Sequence, residues 1–165
     1  MSESGAGTEP RQSIFDAAGG TPFFEALAHA WHERCLADPV VSHAFSHGFH
    51  PDHGDRLAAY WAESVGGPAT FSRHHGDETA VLRMHAGNGE HVEMDRRAEG
   101  AFDAALAEVG SPVGTLVGDT LSAYFRWANV RMAAHHHGQD EVAPGQSIPR
   151  WSWDGPATNG AIREK

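Results

Sequence analysis

"VLRMHAGNG", residues 81–89, sets one histidine at the end of a short apolar run and follows it with two glycines around an asparagine. Val81, Leu82 and Met84 make the approach to His85 apolar, and "VLRMH" reads as one or two helical turns closed by Gly87 and Gly89. The flanking glycines let other backbone come close to the histidine. Taken singly, such a residue is most often half-buried and hydrogen-bonded to a carbonyl. The chain holds thirteen histidines and one cysteine, so residue type alone decides nothing and the positions of the other histidines must.

Working outward, the helical period dominates. "SIFDAAGG" stops at Gly19-Gly20, and "TPFFEALAHAWHERCLADP" follows with Thr21 as N-cap and Pro22 at the first helical position. Its apolar face is Phe24, Leu27, Ala28, Trp31 and Cys35, the recurrence of an amphipathic helix. After an irregular stretch, His53, Leu57, Tyr60, Trp61 and Ser64 resume that period until Gly66-Gly67-Pro68 ends it. Residues 69–80 lack periodicity and read as a loop. Two longer helices follow, about 91–109 burying Ala98, Ala101, Phe102, Ala105, Leu106 and Val109, and about 113–136 burying Val113, Val117, Leu121, Tyr124, Phe125, Ala128 and Met132. No comparable segment alternates with period two, so the fold class is all-α.

Length and composition bound the organisation. The 165 residues suit one domain with a real core. Residues 1–12 are small and polar and read as a flexible arm, residues 13–137 as the domain, and residues 138–165 as an irregular extension rich in proline and glycine. Trp151 and Trp153 in that extension suit packing on the domain or on a partner. A formal charge of −10 argues against nucleic acid and anionic membranes as partners. No run approaches the roughly 20 apolar residues of a membrane span. Cys35 has no partner for an intramolecular disulfide, and the first thirty residues lack a secretory pattern, which together read as cytoplasmic.

Three histidines fall on inward-facing positions. His53 shares the stripe of Leu57, Tyr60 and Trp61, His32 borders the stripe of its own helix, and His85 ends its apolar run. Neutral imidazole is the commonest metal ligand among side chains. With the glycine pairs Gly19-Gly20 and Gly66-Gly67, the "GGP" corner, and "LRMH" in register with them, residues 13–134 resemble a truncated haemoglobin, closest to the second group of that family. The resemblance implies a two-over-two helical sandwich holding one haem b.

Carried over position by position, the resemblance makes His85 the proximal iron ligand and Phe45 the aromatic that wedges the haem. His53 and Leu57 match successive distal positions, Tyr60 and Trp61 the bulky pair beyond them, His32 the distal position of the second helix, and Ala98 the place where the long helix crosses the haem. Phe45, Leu57, Trp61, Leu82 and Phe102 would line an apolar slot, and Arg83, with Arg73, His74 and His75, would meet the propionates.

Here the chain departs from its group, which has tyrosine where His32 stands, tryptophan where Ala98 stands, and commonly a small residue where His53 stands. Two imidazoles therefore replace a phenol. A neutral imidazole N–H would stabilise a diatomic ligand (O2, NO or CO) that carries partial negative charge. A protonated one would act as general acid toward peroxide in redox turnover, served by a reductase partner. A third option is direct ligation of the iron by His53 or His32. The rival reading from another class is a non-haem metal protein built on His43, His47, His50 and His53, for which only Asp52 and Asp55 supply nearby carboxylates.

Overall fold

The computed structural model describes residues 11–46, 48–88, 91–135 and 137–157. Seven α-helices carry the chain: α1 Ile14–Ala18, α2 Thr21–Ala37, α3 His53–Ser64, α4 Thr70–His74, α5 Glu78–His85, α6 Val92–Glu108 and α7 Leu116–Ala133. A short 3₁₀ turn, Val41–Phe45, follows α2, and a second, Gln139–Glu141, follows α7. The helix α2 packs on both α3 and α6, and α6 packs on α7, so two helix pairs face each other across one core. The architecture is all-α, in the two-over-two arrangement.

One aromatic from each of the four long helices meets at the centre. Trp31 of α2 lies edge-on to Trp61 of α3, with centroids 5.6 Å apart. Trp61 is edge-on to Phe102 of α6 at 5.3 Å, and Phe102 stacks on Phe125 of α7 at 4.2 Å. Offset and edge-to-face pairs of this kind add specificity beyond the apolar area they bury. Burying Trp31 would strand its indole N–H, and that group donates instead to the Ala98 carbonyl at 3.1 Å.

The "GGP" corner is built by close approach. Gly66 has φ +100°, a conformation that side chains disfavour. At Gly67 a Cβ would stand 2.7 Å from both the Ala62 carbonyl oxygen and the Phe15 ring. The corner thus stops α3 and lets α1 dock, with the Phe15 amide donating to the Val65 carbonyl at 3.1 Å.

Four expectations need correction. The N-cap of α2 is Gly20, with φ +74°, and Thr21 and Pro22 are its first two helical residues, since the positive φ places the chain break one position earlier. Residues 69–80 are not a loop: α4 occupies five of them, and α5 begins at Glu78. In α4 no side chain of its own caps the helix, and the buried Glu63 carboxylate does so from α3, accepting from the Ser72 amide at 3.0 Å and from the Ser72 hydroxyl. The last helix starts at Leu116, where Thr115 accepts from the Gly118 amide, so Val113 precedes it and stays exposed.

The fourth correction concerns the extension, which is not wholly irregular. Val142 and Ile148 are buried, and Trp151–Ser152 pairs antiparallel with Gly155–Pro156. The Trp151 ring lies 5.3 Å from Trp127 and 6.1 Å from Tyr124, both on α7. Trp153 donates its indole N–H to the Gln12 carbonyl at 2.7 Å. Both tryptophans therefore pack on the body of the protein. Most of the N-terminal arm, residues 1–10, lies outside the described residues.

Trp151→Ala should accordingly destabilise the fold by about 2 kcal/mol, below the range for a fully buried tryptophan because the ring is only half-buried. A thermal melt followed by circular dichroism should show a drop of roughly 4–8 °C. An unchanged melting curve would mean the hairpin contributes nothing to the core.

Candidate functional site

Three elements bring the inward histidines together. His32 lies in the last half of α2, and His53 is the first residue of α3. Their Nδ1 atoms are 2.7 Å apart. Phe45, at the end of the first 3₁₀ turn, stacks on His32 with centroids 5.0 Å apart, and Phe49 meets the same ring edge-on at 4.7 Å. Two aromatic rings thus wall the imidazole pair on the side where the chain crosses from α2 to α3.

The electrostatics of the pair follow from that setting. Burial, followed by the neighbouring His32, His85 and Arg56 charges, lowers His53 to about 4. Burial also lowers His32, against the opposing pull of Glu33. Both rings are therefore neutral at pH 7, and a hydrogen bond between two Nδ1 atoms then divides their tautomers. The ring that donates its Nδ1–H has a bare Nε2; the ring that accepts carries its proton on Nε2. The pair offers one base and one donor.

His85 completes the group from the opposite element. It ends α5, and its Nδ1 lies 2.8 Å from the Val81 carbonyl oxygen one turn back. A carbonyl only accepts, so Nδ1 is the protonated nitrogen and Nε2 presents its lone pair. His85 is near enough to His53 to act on it electrostatically.

The remaining expected residues divide into three sets. Leu82 is buried on α5 and Leu57 half-buried on α3, apolar neighbours of His85 and His53 in their own helices. Trp61 and Phe102 belong to the central aromatic cluster, and Ala98 is buried with its carbonyl committed to Trp31. Tyr60 is committed elsewhere: its hydroxyl donates to Glu78 Oε2 at 2.7 Å and its ring packs edge-on against Phe71. Arg83 is exposed and forms no ion pair among the described residues.

The histidine-rich stretch does not gather into a metal centre among the described residues. His43 and His50 are exposed, and His50 Nδ1 accepts from the Asp52 amide at 3.0 Å. His47, the third member of that rival site, lies outside the described residues.

Residues beneath the site escaped the sequence reading. Glu78 is fully buried, bound by Tyr60 and, at 3.4 Å, by Arg131 of α7; burial, partly offset by those two partners, raises its carboxyl above the usual range. The signal for α5 was present in Asp77, an N-cap whose side chain accepts from the Ala80 amide at 2.8 Å, followed by the acidic Glu78. Phe49 could have been found as the second aromatic of "FSHGF".

A family model described as bacterial-like globin matches residues 13–116. The chain belongs to the bacterial-like globin family. Among solved structures, this globin is similar to a haemoglobin of Chloroflexus aurantiacus, at 25% identity over 74% of this chain and 98% of that one, with a TM-score of 0.63. It also shares its fold with a thermostable haemoglobin of Thermobifida fusca, at 24% identity over 74% and 97% of the two chains, TM-score 0.62. The group II truncated haemoglobin of Bacillus anthracis matches at 14% identity over 75% and 92%, TM-score 0.64. No curated protein matches the sequence.

The donor set fits the cofactor that the family implies. His85 has its Nδ1 engaged by Val81, which leaves Nε2 for a ligand, and Leu82, Leu57 and Phe45 supply buried or half-buried apolar surface near the histidines. Haem needs both: a nitrogen ligand and apolar flanks.

The His53 environment predicts a pH dependence. The folded chain keeps this ring neutral down to about 4, whereas the unfolded chain takes up its proton near 6.5. Between those values the unfolded state binds more protons, so His53 makes stability fall as pH drops through the window. Denaturant unfolding of haem-free protein from pH 7 to pH 4.5 should show that decline, and His53→Leu should make it shallower. Equal slopes for the two proteins would contradict the buried, neutral assignment.

Proposed function

We propose that this globin binds haem b through His85 as the proximal ligand, with the His32–His53 pair on the distal side, and that it takes up diatomic ligands such as O2, NO or CO. The observation that supports this reading is the hydrogen-bonded His32–His53 pair walled by Phe45 and Phe49, with His85 on α5 held at Nδ1 by Val81 and near enough to act on His53.

Bound haem would supply the iron centre at which a diatomic ligand is held or reduced. Everything else falls to the chain. The Val81 carbonyl, by accepting from Nδ1 of His85, keeps the ring in one tautomer and orientation and raises the basicity of Nε2. On the distal side, the imidazole whose proton sits on Nε2 donates a hydrogen bond toward partial negative charge, and its value rises where Phe45 and Phe49 exclude water. The other imidazole holds a bare Nε2 and serves as acceptor; that nitrogen is also the one that would be free to bind iron. Because His53 is held neutral well below pH 7, the pair is better suited to donating a hydrogen bond than to giving up a proton to peroxide. Ligand binding is therefore favoured over peroxidase-type turnover at neutral pH.

An absorption spectrum of the purified protein, oxidised, dithionite-reduced and reduced with CO, tests the reading directly. A strong Soret band that moves with CO is expected, and His85→Ala should abolish stable haem uptake. His53→Leu should speed O2 dissociation by about tenfold, the effect of removing one well-placed hydrogen bond. A colourless protein that takes up no added haemin, or a His85→Ala variant that keeps one haem per chain, would overturn the assignment.

A further inference from the structure

The helix that ends in His85 cannot hold itself in place. It has eight residues, about 12 Å of helix, well below the length at which an isolated helix is stable in water. Its position comes from tertiary contacts, and at its N-terminal turn the segment that follows α7 adds backbone contacts to those that Tyr60 and Arg131 make with Glu78.

The contacts centre on Thr79. This side chain is 3% exposed, and its hydroxyl makes two hydrogen bonds to backbone of the extension: it donates to the Ala143 carbonyl and accepts from the Gln146 amide, each at 2.9 Å. Next to it, the Glu78 amide, one of the N-terminal donors that a helix leaves unmatched, donates to the Gln146 carbonyl at 3.2 Å. Gln146 is braced in turn by its side-chain amide, which donates to the Ala143 carbonyl at 3.0 Å. At the other end, just past His85, the Gly87 amide donates to the His135 carbonyl at 2.9 Å. The chain after α7 thus grips α5 at both ends, and the buried Val142 and Ile148 anchor the grip in the core.

This grip lies outside what defines the family. The matching globin model ends at residue 116, and the Chloroflexus haemoglobin, matched over 98% of its own length, covers only 74% of this chain.

We propose that residues 142–148 form a strap that sets the position of the proximal helix, and that Thr79 is the positioning residue through which the strap acts on His85. The inference rests on the haem reading of His85. A threonine is required because its hydroxyl must donate and accept at once while its methyl group fills buried space. Valine keeps the shape and loses both bonds, and serine keeps both bonds.

The test uses the full-length chain in three forms: wild type, Thr79→Val and Thr79→Ser. Haem release to an excess of a scavenging apoglobin and the iron–histidine stretching band of the reduced protein are the two readouts, with circular dichroism to verify folding. Thr79→Val is expected to release haem roughly three- to tenfold faster, the consequence of losing both hydrogen bonds that the Thr79 hydroxyl makes to the strap and leaving the Gln146 amide without its acceptor, and to shift or broaden the iron–histidine band. Thr79→Ser should stay close to wild type in both. Should Thr79→Val fail to fold, Thr79→Ala removes the same two bonds without adding bulk and answers the same question. Release rates and bands equal to wild type in a folded Thr79→Val or Thr79→Ala protein would overturn the strap, as would a serine variant that behaves like valine. A melting temperature that falls while both readouts stay fixed would also overturn it, since Thr79 would then be structural only. Wild-type protein that takes up no haem would instead sink the haem reading, which separates the two failures.

Discussion

The structure depends on the indole of Trp31. It touches α3 through Trp61, α7 through Phe125 and α6 through the Ala98 carbonyl. The hydrogen bond to Ala98 fixes more than orientation: an indole N–H buried without a partner would cost on the order of 1–3 kcal/mol, so the α2–α6 contact is pinned at one register. His32 is the next residue on α2, and its direction is therefore set by how Trp31 is seated. Ala98 gains an account on the same grounds. The resemblance places a tryptophan at that position, but here the indole comes from α2 and binds the backbone of α6, and a small residue leaves it room.

A second layer of constraint holds the short helices. Neither α4, with five residues, nor α5, with eight, has enough internal hydrogen bonding to persist alone. Both are held by carboxylates buried where no loop would place them. Glu63 reaches from α3 to the amide and hydroxyl of Ser72 in the first turn of α4, and Glu78 binds Tyr60 of α3 and Arg131 of α7. A buried carboxylate is unfavourable unless its oxygens are matched, and each of these has two partners. His85 is carried on a helix whose first turn is fixed by this polar network and by the strap, while its last turn carries the ring. Rigidity at one end is what gives the other a defined position.

Much of the fold was legible because the long helices announce themselves. The faces of α2, α6 and α7 follow the 3.6-residue period, and Phe24, Leu27, Trp31, Phe102, Leu106, Leu121 and Phe125 are buried where that period puts them. What escaped was decided at a distance. A five-residue helix capped by Glu63 from nine residues away has no local signal, and the strap acts through backbone carbonyls and amides that any sequence possesses. Within the site, inward-facing histidines on α2 and α3 could be read from spacing, but their 2.7 Å contact could not, since it depends on how α2 and α3 cross. Tyr60 illustrates the limit from the other side. It shares the inward stripe of His53, yet its hydroxyl requires a partner once buried, and Glu78 supplies one away from the imidazoles.

The contact between His32 and His53 also explains how two imidazoles can stand where one phenol serves in related chains. A phenol carries a single O–H that donates and accepts at the same atom. In the imidazole pair those two functions lie on different rings, coupled by one shared proton. Exchanging those roles requires two proton movements, the Nδ1 proton passing from one ring to the other and an Nε2 proton passing the opposite way, so the tautomers of the two rings are tied to each other while the net charge stays the same. Burial disfavours the charged forms; with both rings protonated, two Nδ1–H donors would face each other and the contact would open. Neither histidine of the pair therefore has a role that can be assigned without the other.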